Sequence, residues 1–337
     1  MFKNKFIKWS FISLVCLISL IVLALVAFCV GERVIFRDFY KDAQKEFDIP
    51  GLEDGYVPQG FEYLDDRSVF LACGYMKDNS PSRIYVIGED GSASFCEMLN
   101  ADGSDHTGHT GGIARFGNYV YVTDKTGCNI FTLSDITDGD GKARIIGQVE
   151  SCNDPAYCSV KDGLLYMGSF YREVDYETPM EHRFTTPAGD LNTAIIAAYR
   201  LDPESGRAVS SVPERIYSTT GAIQGMAFCE DGSLALSASW GISKSRIYVY
   251  DLERAEFHSE NAQPRTVSAG GKDVKVTFLD SASLVSLTPA PPMAEEIVCK
   301  DGRIYIMNES ASTKYMFGKL TTGEQVYSYP VSKAKGE

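Results

Sequence analysis

The first strong pattern in the chain is an uncharged run at residues 9–30, preceded by Lys3, Lys5 and Lys8. It is apolar except for Ser10, Ser13 and Ser19. As a helix rising ~1.5 Å per residue, this run measures about 33 Å, which matches the ~30 Å hydrocarbon core of a bilayer. A cleaved signal peptide is the alternative, but its apolar region normally has only ~7–15 residues. The pattern therefore favours an uncleaved signal anchor at 9–30.

The lysines also predict the orientation of this anchor. Basic residues that flank a membrane span stay on the cytoplasmic side. We therefore expect residues 1–8 to form a short cytoplasmic tail and the rest of the chain to lie outside. The predicted location is the cell membrane, which the chain crosses once.

A second apolar pattern, at residues 32–47, has the period of an amphipathic helix that Pro50 ends. Helical spacing relates its apolar positions Phe36, Phe39, Ala43 and Phe47. The interval 31–55 is therefore predicted to be a juxtamembrane helix and linker. Two interpretations stay open, a helix that packs on the next domain and a stiff spacer above the membrane.

From residue 57 onward the helical period disappears, and short apolar or alternating runs are separated by turn sequences. Residues 82–86 and 245–249 share the sequence Ser-Arg-Ile-Tyr-Val. Related motifs begin five repeats, at Gln59, Gly111, Ala156, Gln224 and Glu295. Each predicts a second strand, at 68–72, 119–123, 164–168, 234–239 and 303–308. Each also predicts a third, near Ile84, Ile130, Ile195, Ile247 and Tyr315.

Repeats of ~40–50 residues built from short strands are typical of a β-propeller. We therefore predict an all-β fold over 56–331, with a strand near 324–329 that finishes the ring and a tail at 332–337. Five blades are favoured, and six are possible because two repeat spacings are long. A β-sandwich is the alternative, but it would not produce recurring strand starts.

Three of the motifs resemble the inner strands of secreted bacterial propellers. They are Ile-Gln-Gly-Met-Ala at 223–227, His-Thr-Gly-Gly-Ile-Ala at 109–114 and Pro-Met-Ala-Glu-Glu-Ile at 292–297. These propellers are mostly uncharacterised and are loosely similar to the gluconolactonase-like and YncE-like propellers. Lactonase-like relatives hold a central divalent cation through Glu and Asn or Asp residues. The matching positions here are a mixed set, so that metal site is not carried over.

Composition and charge narrow the choice of partners. Apolar residues make up 44% of the chain, which supplies a core, and the net charge is −13. Since the three lysines at the start fall in the predicted cytoplasmic tail, the exterior part is more acidic still. Phosphate binding needs basic patches, so nucleic acid is not an expected partner.

Seven cysteines lie beyond the anchor, an odd number that cannot pair fully within one chain. Cys229 and Cys299 occupy matching points of two repeats, and we interpret them as small buried apolar residues. Cys152 and Cys158 are close in sequence and could form a bridge.

The inner strands of a propeller line its central channel, so the repeat starts predict a channel-mouth site for a ligand or metal. Its candidate residues are Gln59, Glu62, His109, Asp154, Gln224 and Glu295. Carboxylate and amide oxygens suit Ca²⁺, the divalent cation we would expect there. The alternative is a hydrated channel whose polar residues contact only water. Because side chains alternate along a strand, we expect Glu295 and not Glu296 to face the channel.

A second candidate site is Asp105 with His106, which together with His109 form the pattern D-H-x-x-H. Two histidines at this spacing could share a metal, or one could act as a base, whereas an exposed turn is the alternative. Insertions at 172–190 and 256–272 are candidate functional loops. The sequence contains no nucleophile elbow, Rossmann or P-loop pattern, and residues 135–147 lack the ligands of a calcium loop.

Without a complete catalytic motif, the predicted function is that of a membrane-anchored extracytoplasmic binding module. Its expected ligand is a protein, a small molecule or a glycan. The alternative function is a metal-dependent hydrolase or lactonase with its site at the channel mouth.

Overall fold

The chain opens with one long helix whose apolar side chains are exposed. In the computed structural model, which describes residues 2–315, 318 and 323–331 and the side chains from residue 9 onward, helix α1 spans Phe2–Ile35. Its segment Trp9–Ile35 is long and apolar enough to cross a membrane, although a signal sequence would have the same properties. The predicted tail at 332–337 lies outside the described residues.

Helix α2 (Arg37–Asp42), strand β1 (Gln44–Asp48) and a 3-10 helix (Leu52–Asp54) lead into five antiparallel blades. Blade 1 contains β2 (Tyr56–Leu64), β3 (Val69–Met76), β4 (Arg83–Gly88) and β5 (Ala93–Leu99). Blade 2 contains β6 (Ile113–Phe116), β7 (Tyr119–Asp124), β8 (Gly127–Thr132) and β10 (Gly147–Glu150). Helix α3 (Leu133–Thr137) and strand β9 (Lys142–Arg144) lie between β8 and β10 in the chain, and β9 pairs with β5 of blade 1.

Blade 3 contains β11 (Pro155–Lys161), β12 (Leu164–Ser169), β15 (Ala194–Arg200) and β16 (Arg215–Thr219). Between β12 and β15 the chain forms a 3-10 helix (Met180–His182) and a separate hairpin of β13 (Phe184–Thr185) and β14 (Leu191–Asn192). Blade 4 contains β17 (Ile223–Phe228), β18 (Leu234–Ala238), β19 (Ser245–Tyr250) and β22 (Leu284–Ala290). Helix α4 (Leu252–Glu260) and strands β20 (Thr266–Ala269) and β21 (Lys272–Phe278) lie between β19 and β22 in the chain but are not part of blade 4. Blade 5 contains β23 (Ala294–Lys300), β24 (Arg303–Asn308), β25 (Gln325–Pro330) and β1. The first strands of neighbouring blades contact one another around a central axis.

The prediction of a five-bladed propeller is confirmed, and the two long repeat spacings contain insertions rather than a sixth blade. The hairpin of β13 and β14 lies between two strands of blade 3. Strands β20 and β21 follow β19 in the chain, but β21 pairs in parallel with β16 of blade 3. The second insertion therefore covers the outer edge of an existing blade, which protects that edge from pairing with other chains.

The ring is closed in blade 5, where a strand from the beginning of the propeller region pairs with a strand from its end. Strand β1 pairs with β25 and supplies the outermost strand of blade 5. Phe47 of β1 is buried, with its ring 6.3 Å from Phe61 and 5.1 Å from Phe70 of blade 1. One short strand therefore joins blade 5 to blade 1.

This arrangement corrects two predictions. The helix expected over 32–47 is wrong in its last turn, because Ala43 is extended and 44–48 form a strand. Pairing with β25 and burial of Phe47 outweigh the local helical period. The third strand of blade 5 is β25, whereas Tyr315, where it was expected, lies in the connection between β24 and β25.

The interpretation of Cys229 and Cys299 as small buried apolar residues is also corrected. They form a disulfide between blades 4 and 5, with their Cα atoms 5.2 Å apart. The two cysteines occupy matching positions of neighbouring blades, and these positions face each other where the two blades pack together. The sequence of a single repeat does not show which residues of the next blade it will face. Cys152 and Cys158, the pair that the sequence offered for a bridge, are both free thiols.

Ring closure by β1 predicts that Phe47→Ala destabilises the whole propeller. Loss of a buried Phe side chain should lower the free energy of unfolding by about 3–5 kcal/mol. Phe257→Ala is the matched control because the Phe257 side chain is exposed, and it should stay within about 0.5 kcal/mol of the parent. The measurement is denaturant unfolding of the full chain in detergent. Equal effects of the two substitutions would show that β1 is not part of the closed ring.

Candidate functional site

The inner strands share a local irregularity that brings polar residues to the channel. In β2, β11, β17 and β23 the pairing with the second strand shifts near the start of the strand. In β2, β11 and β17, one residue of the inner strand has no partner on the second strand. These residues are Gln59, Ala156 and Gln224. In β23 the shift includes Glu295 and Glu296. Such bulges bend a strand and redirect its side chains.

Glycines allow the inner strands to approach the axis closely. A Cβ on Gly112 would lie 2.4 Å from the Cys158 backbone nitrogen and 2.7 Å from the Glu296 carboxylate. A Cβ on Gly225 would lie 2.5 Å from the Glu296 Cα. Side chains other than hydrogen are therefore excluded at these positions, and the Glu296 side chain occupies the space between the strands.

Both adjacent glutamates are inside the ring, so the expectation that Glu296 faces away is wrong. The bulge in β23 breaks the alternation on which that expectation depended. Glu295 lies toward the mouth, where its Oε1 accepts a hydrogen bond from Gln224 Nε2 at 3.3 Å. Glu296 lies deeper, where its Oε1 accepts from the Met226 backbone N–H at 2.8 Å and its Oε2 has no hydrogen-bond partner among the described residues.

Above these glutamates lies a cavity of about 630 Å³, which we call the mouth cavity. Long connections in blades 3, 4 and 5 form its high sides, whereas in blade 2 the corresponding turn at 125–126 is short. Its lining includes polar, charged and aromatic side chains, namely Gln59, Tyr75, His109, Asp124, Lys125, Asp154, Phe170, Tyr176, Glu177, Gln224, Trp240, Glu309, Lys314 and Tyr315.

The floor of the mouth cavity consists of two amide–carboxyl pairs. Gln59 Nε2 donates to Glu309 Oε2 at 2.9 Å, and Gln224 donates to Glu295. Burial raises the pKa of Glu295 well above its ordinary value, and the neighbouring Glu309 carboxylate raises it further. Burial also raises the pKa of Glu309, whereas Tyr315 and Lys314 lower it. These shifts favour the neutral over the charged form of both carboxyl groups.

One side of the cavity is an aromatic wall formed by Phe170, Tyr176 and Trp240. The Trp240 ring lies 5.8 Å from Phe170 and 5.9 Å from Tyr176, and the Arg172 guanidinium lies 4.2 Å above it. Tyr176 is 54% exposed and Trp240 is 40% exposed, so both present ring surface to the cavity or its rim. Aromatic rings held in this way offer a flat apolar surface beside polar groups.

Most of the residues predicted for the channel mouth meet there. Gln59, His109, Asp154 and Gln224 line the mouth cavity, and Glu295 accepts a hydrogen bond from one of them, Gln224. The His109 ring packs 4.8 Å from that of Tyr75. Much of the residue remains exposed, but desolvation by the surrounding atoms and the nearby Lys314 ammonium lower its pKa to about 4.

Three predicted residues lie elsewhere. Glu62 follows Gly60 farther along β2 and is not part of the cavity lining, and burial raises its pKa to about 7. His106 is buried with its Nδ1 2.9 Å from Asn100 Oδ1, and Asp105 is exposed. The side chains of Asp105 and His106 therefore do not join His109 at the cavity.

The sequence did not identify Glu309, Trp240 or Tyr315 as site residues. Glu309 and Trp240 come within two residues of the ends of β24 and β18, the second strands of their blades. An alignment of second-strand ends, in addition to strand starts, is the signal that would have found them. Tyr315 lies in a long connection, where no repeat pattern marks its position.

No group of three or more His, Cys, Asp or Glu side chains suited to a metal ion occurs among the described residues. Ca²⁺ takes six to eight oxygen ligands. At the mouth, Glu295 and Glu309 each accept a hydrogen bond from a glutamine amide, and these side chains do not form such a set. The cation site therefore stays a prediction.

The chain was also compared with known proteins. No family model matches it. Among solved structures it is similar to the PQQ-bound aldose sugar dehydrogenase of Streptomyces coelicolor, at 11% identity and a TM-score of 0.43 over 85% of this chain and 95% of that chain. A gluconolactonase of Xanthomonas campestris has 13% identity and a TM-score of 0.38, over 86% and 95% of the two chains. A chain of a nidogen–laminin complex has 12% identity and a TM-score of 0.41, over 75% and 73%. We draw no functional conclusion from these similarities.

The buried carboxyl of Glu296 predicts a pH-dependent effect of Glu296→Gln. Burial and the nearby Cys158 thiol raise the pKa of Glu296 well above its ordinary 4.5 in the folded protein. Above pH 4.5 the unfolded chain loses this proton while the folded chain retains it, so the parent loses stability as the pH rises toward the raised pKa. Relative to the parent, the variant should gain up to about 1.4 kcal/mol per pH unit above pH 4.5.

The measurement is denaturant unfolding of both proteins between pH 4 and pH 8. Glu150→Gln is the control, because it makes the same substitution at an exposed residue on β10. A pH-independent difference for Glu296→Gln would contradict the placement of this carboxyl at the axis.

Proposed function

We propose that this protein is a membrane-anchored extracytoplasmic binding module whose mouth cavity takes a neutral carbohydrate. The observation that carries the proposal is the aromatic wall, which faces a floor of paired amide and carboxyl groups across one cavity. Sugars present apolar C–H faces and many hydroxyl groups. An aromatic ring can stack on the first, and planar amides and carboxyls can hydrogen-bond to the second.

Charge argues against an anionic ligand. The acidic side chains of the lining are Asp124, Asp154, Glu177 and Glu309, and its basic side chains are Lys125 and Lys314. This excess of acidic groups disfavours phosphates, nucleotides and other polyanions. The polar floor disfavours a lipid chain, because the amides and carboxyls would lose their contacts with water.

The extracytoplasmic location is supported by two independent features. Lys3, Lys5 and Lys8 precede the apolar helix, which places its N-terminus in the cytoplasm if the helix is an uncleaved anchor. The disulfide between Cys229 and Cys299 is of a kind that persists in oxidising compartments and is rare in the cytosol. Both features support a propeller outside the cytoplasm.

A hydrolase is the second candidate, and the specific observation that favours it is the position of Glu309. Its carboxyl lines the cavity and accepts from Gln59, and burial raises its pKa. A carboxyl group with a raised pKa is better suited to act as a general acid toward a bound glycosidic or ester oxygen. Formation of shorter products from a bound ligand, and its loss in Glu309→Gln, would favour this candidate.

The proposal is tested by calorimetric titration of the full chain in detergent with a panel of neutral oligosaccharides and one anionic oligosaccharide. We expect a neutral member to bind and the anionic one not to bind. Trp240→Ala should weaken binding about tenfold, equivalent to about 1.4 kcal/mol, since it removes the stacking surface.

Phe257→Ala is the control, because it removes an exposed aromatic side chain that does not line the cavity, and its affinity should match that of the parent. Thermal melts of each variant check that the fold is retained. Failure of every neutral sugar to bind, or unchanged affinity in Trp240→Ala, would rule out the proposed ligand.

A further inference from the structure

The direction of the inner strands divides the propeller into two faces. The mouth cavity lies where these strands begin, at Gln59, Ala156 and Gln224. We call this the mouth face. The opposite face, where the inner strands end, carries the tight turns that lead to the second strands, for example between Lys300 and Arg303. Since β11 has seven residues at ~3.3 Å each, the two faces are separated by about 20 Å.

The segment that follows α1 joins the propeller at the opposite face. Asp42, the last residue of α2, accepts a hydrogen bond through its backbone oxygen from Arg303 Nη2 at 3.3 Å. Arg303 is the first residue of β24 and pairs with Lys300 at the end of β23 and with Pro330 at the end of β25. Strand β1 then runs from this end toward the mouth face, with Gln44 opposite Ser328 and Asp48 opposite Gln325.

Aromatic packing fixes the attachment. Phe39 of α2 is only 3% exposed and stacks on Tyr329 with ring centroids 5.3 Å apart. Phe36 belongs to the same apolar cluster, together with Cys229 and, at its margin, Cys299. The disulfide therefore ties blades 4 and 5 together at the place where the helical segment packs.

The end of α1 is tied to α2 in turn. The Tyr40 hydroxyl donates a hydrogen bond to Glu32 Oε1, and the Arg33 guanidinium lies 4.2 Å from the centre of the Tyr40 ring. The connection between the apolar helix and blade 5 is thus a packed structure of charged and aromatic side chains rather than an extended linker.

We infer that the mouth face points away from the membrane, so that the cavity receives ligands presented from beyond the membrane surface. This inference rests on the proposed membrane anchoring by α1 and is independent of which sugar binds. It excludes a lipid headgroup of the anchoring membrane as the ligand. Val174 and Ile242, in the connections beside the mouth cavity, are 83% and 85% exposed. Under this inference these apolar side chains do not insert into the membrane, because they lie on the face that points away from it.

The chain provides its own probes, because it contains two tryptophans, one at each end of this arrangement. Trp9 lies in the apolar helix, and Trp240 lies at the mouth cavity. Trp9→Phe leaves Trp240 as the sole tryptophan, and Trp240→Phe leaves Trp9. The full chain of each variant is placed in nanodiscs with either ordinary or brominated lipid tails, and tryptophan emission is compared between them.

We expect brominated lipid to quench the emission of Trp240→Phe strongly and that of Trp9→Phe not at all. Acrylamide added to the water should quench Trp9→Phe in both kinds of nanodisc. Quenching of Trp9→Phe by brominated lipid would overturn the inference, since the mouth face would then contact the bilayer. Absence of quenching in Trp240→Phe would overturn the anchor itself, and with it the inference. Neither result depends on sugar binding. The absence of sugar binding in the calorimetric titration would therefore contradict the proposed function without affecting this inference.

Discussion

The pairing of β1 with β25 is the contact on which the rest of this structure depends. A four-stranded blade cannot bury both of its faces alone, and a ring of blades protects them only when it is closed. Here the closing strand comes from the segment directly after the apolar helix. The same strand therefore completes blade 5, contributes Phe47 to the core beside blade 1 and determines where the helix meets the propeller.

The bulges near the starts of the inner strands have a comparable effect on the channel. They release Gln59, Gln224 and Glu295 from regular alternation and bring them to the mouth, while glycines keep the strands close together below. Glu296 is buried in the narrow part, where an ionised carboxylate would be costly. The Glu296 side chain occupies the space between the inner strands and separates the mouth cavity from the opposite face, so ligand chemistry is confined to one face of the propeller.

Much of the fold could be predicted from the sequence, because turns and apolar runs recur with each blade. The inner-strand starts were found because bulge residues and the glycines after them are similar between blades, as at Gln59 and Gln224. Strand β1 was missed because Phe47 fits a helical period as well as a buried strand position, and only its partner strand decides between them. Tyr315 was misplaced because blade 5 has a long connection before its third strand.

The site was predictable only where it followed the repeat. Gln59, Gln224 and Glu295 came from aligned strands, whereas Glu309 and Trp240 follow second strands that the alignment of starts did not compare. Their partners, Gln59 and Phe170, are far away in the chain, and such contacts are set by the closure of the ring. The same is true of Cys229 and Cys299, which meet across a seam between two blades.

Native-state hydrogen exchange at residues 44–48 tests ring closure most directly. If β1 is an integral strand of blade 5, its amides that bond to β25 exchange only when the propeller opens, and their protection should match that of the neighbouring strands β24 and β25. Exchange at 44–48 as fast as in exposed loops, while β24 and β25 stay protected, would contradict the account, because the ring would then remain stable without its closing strand.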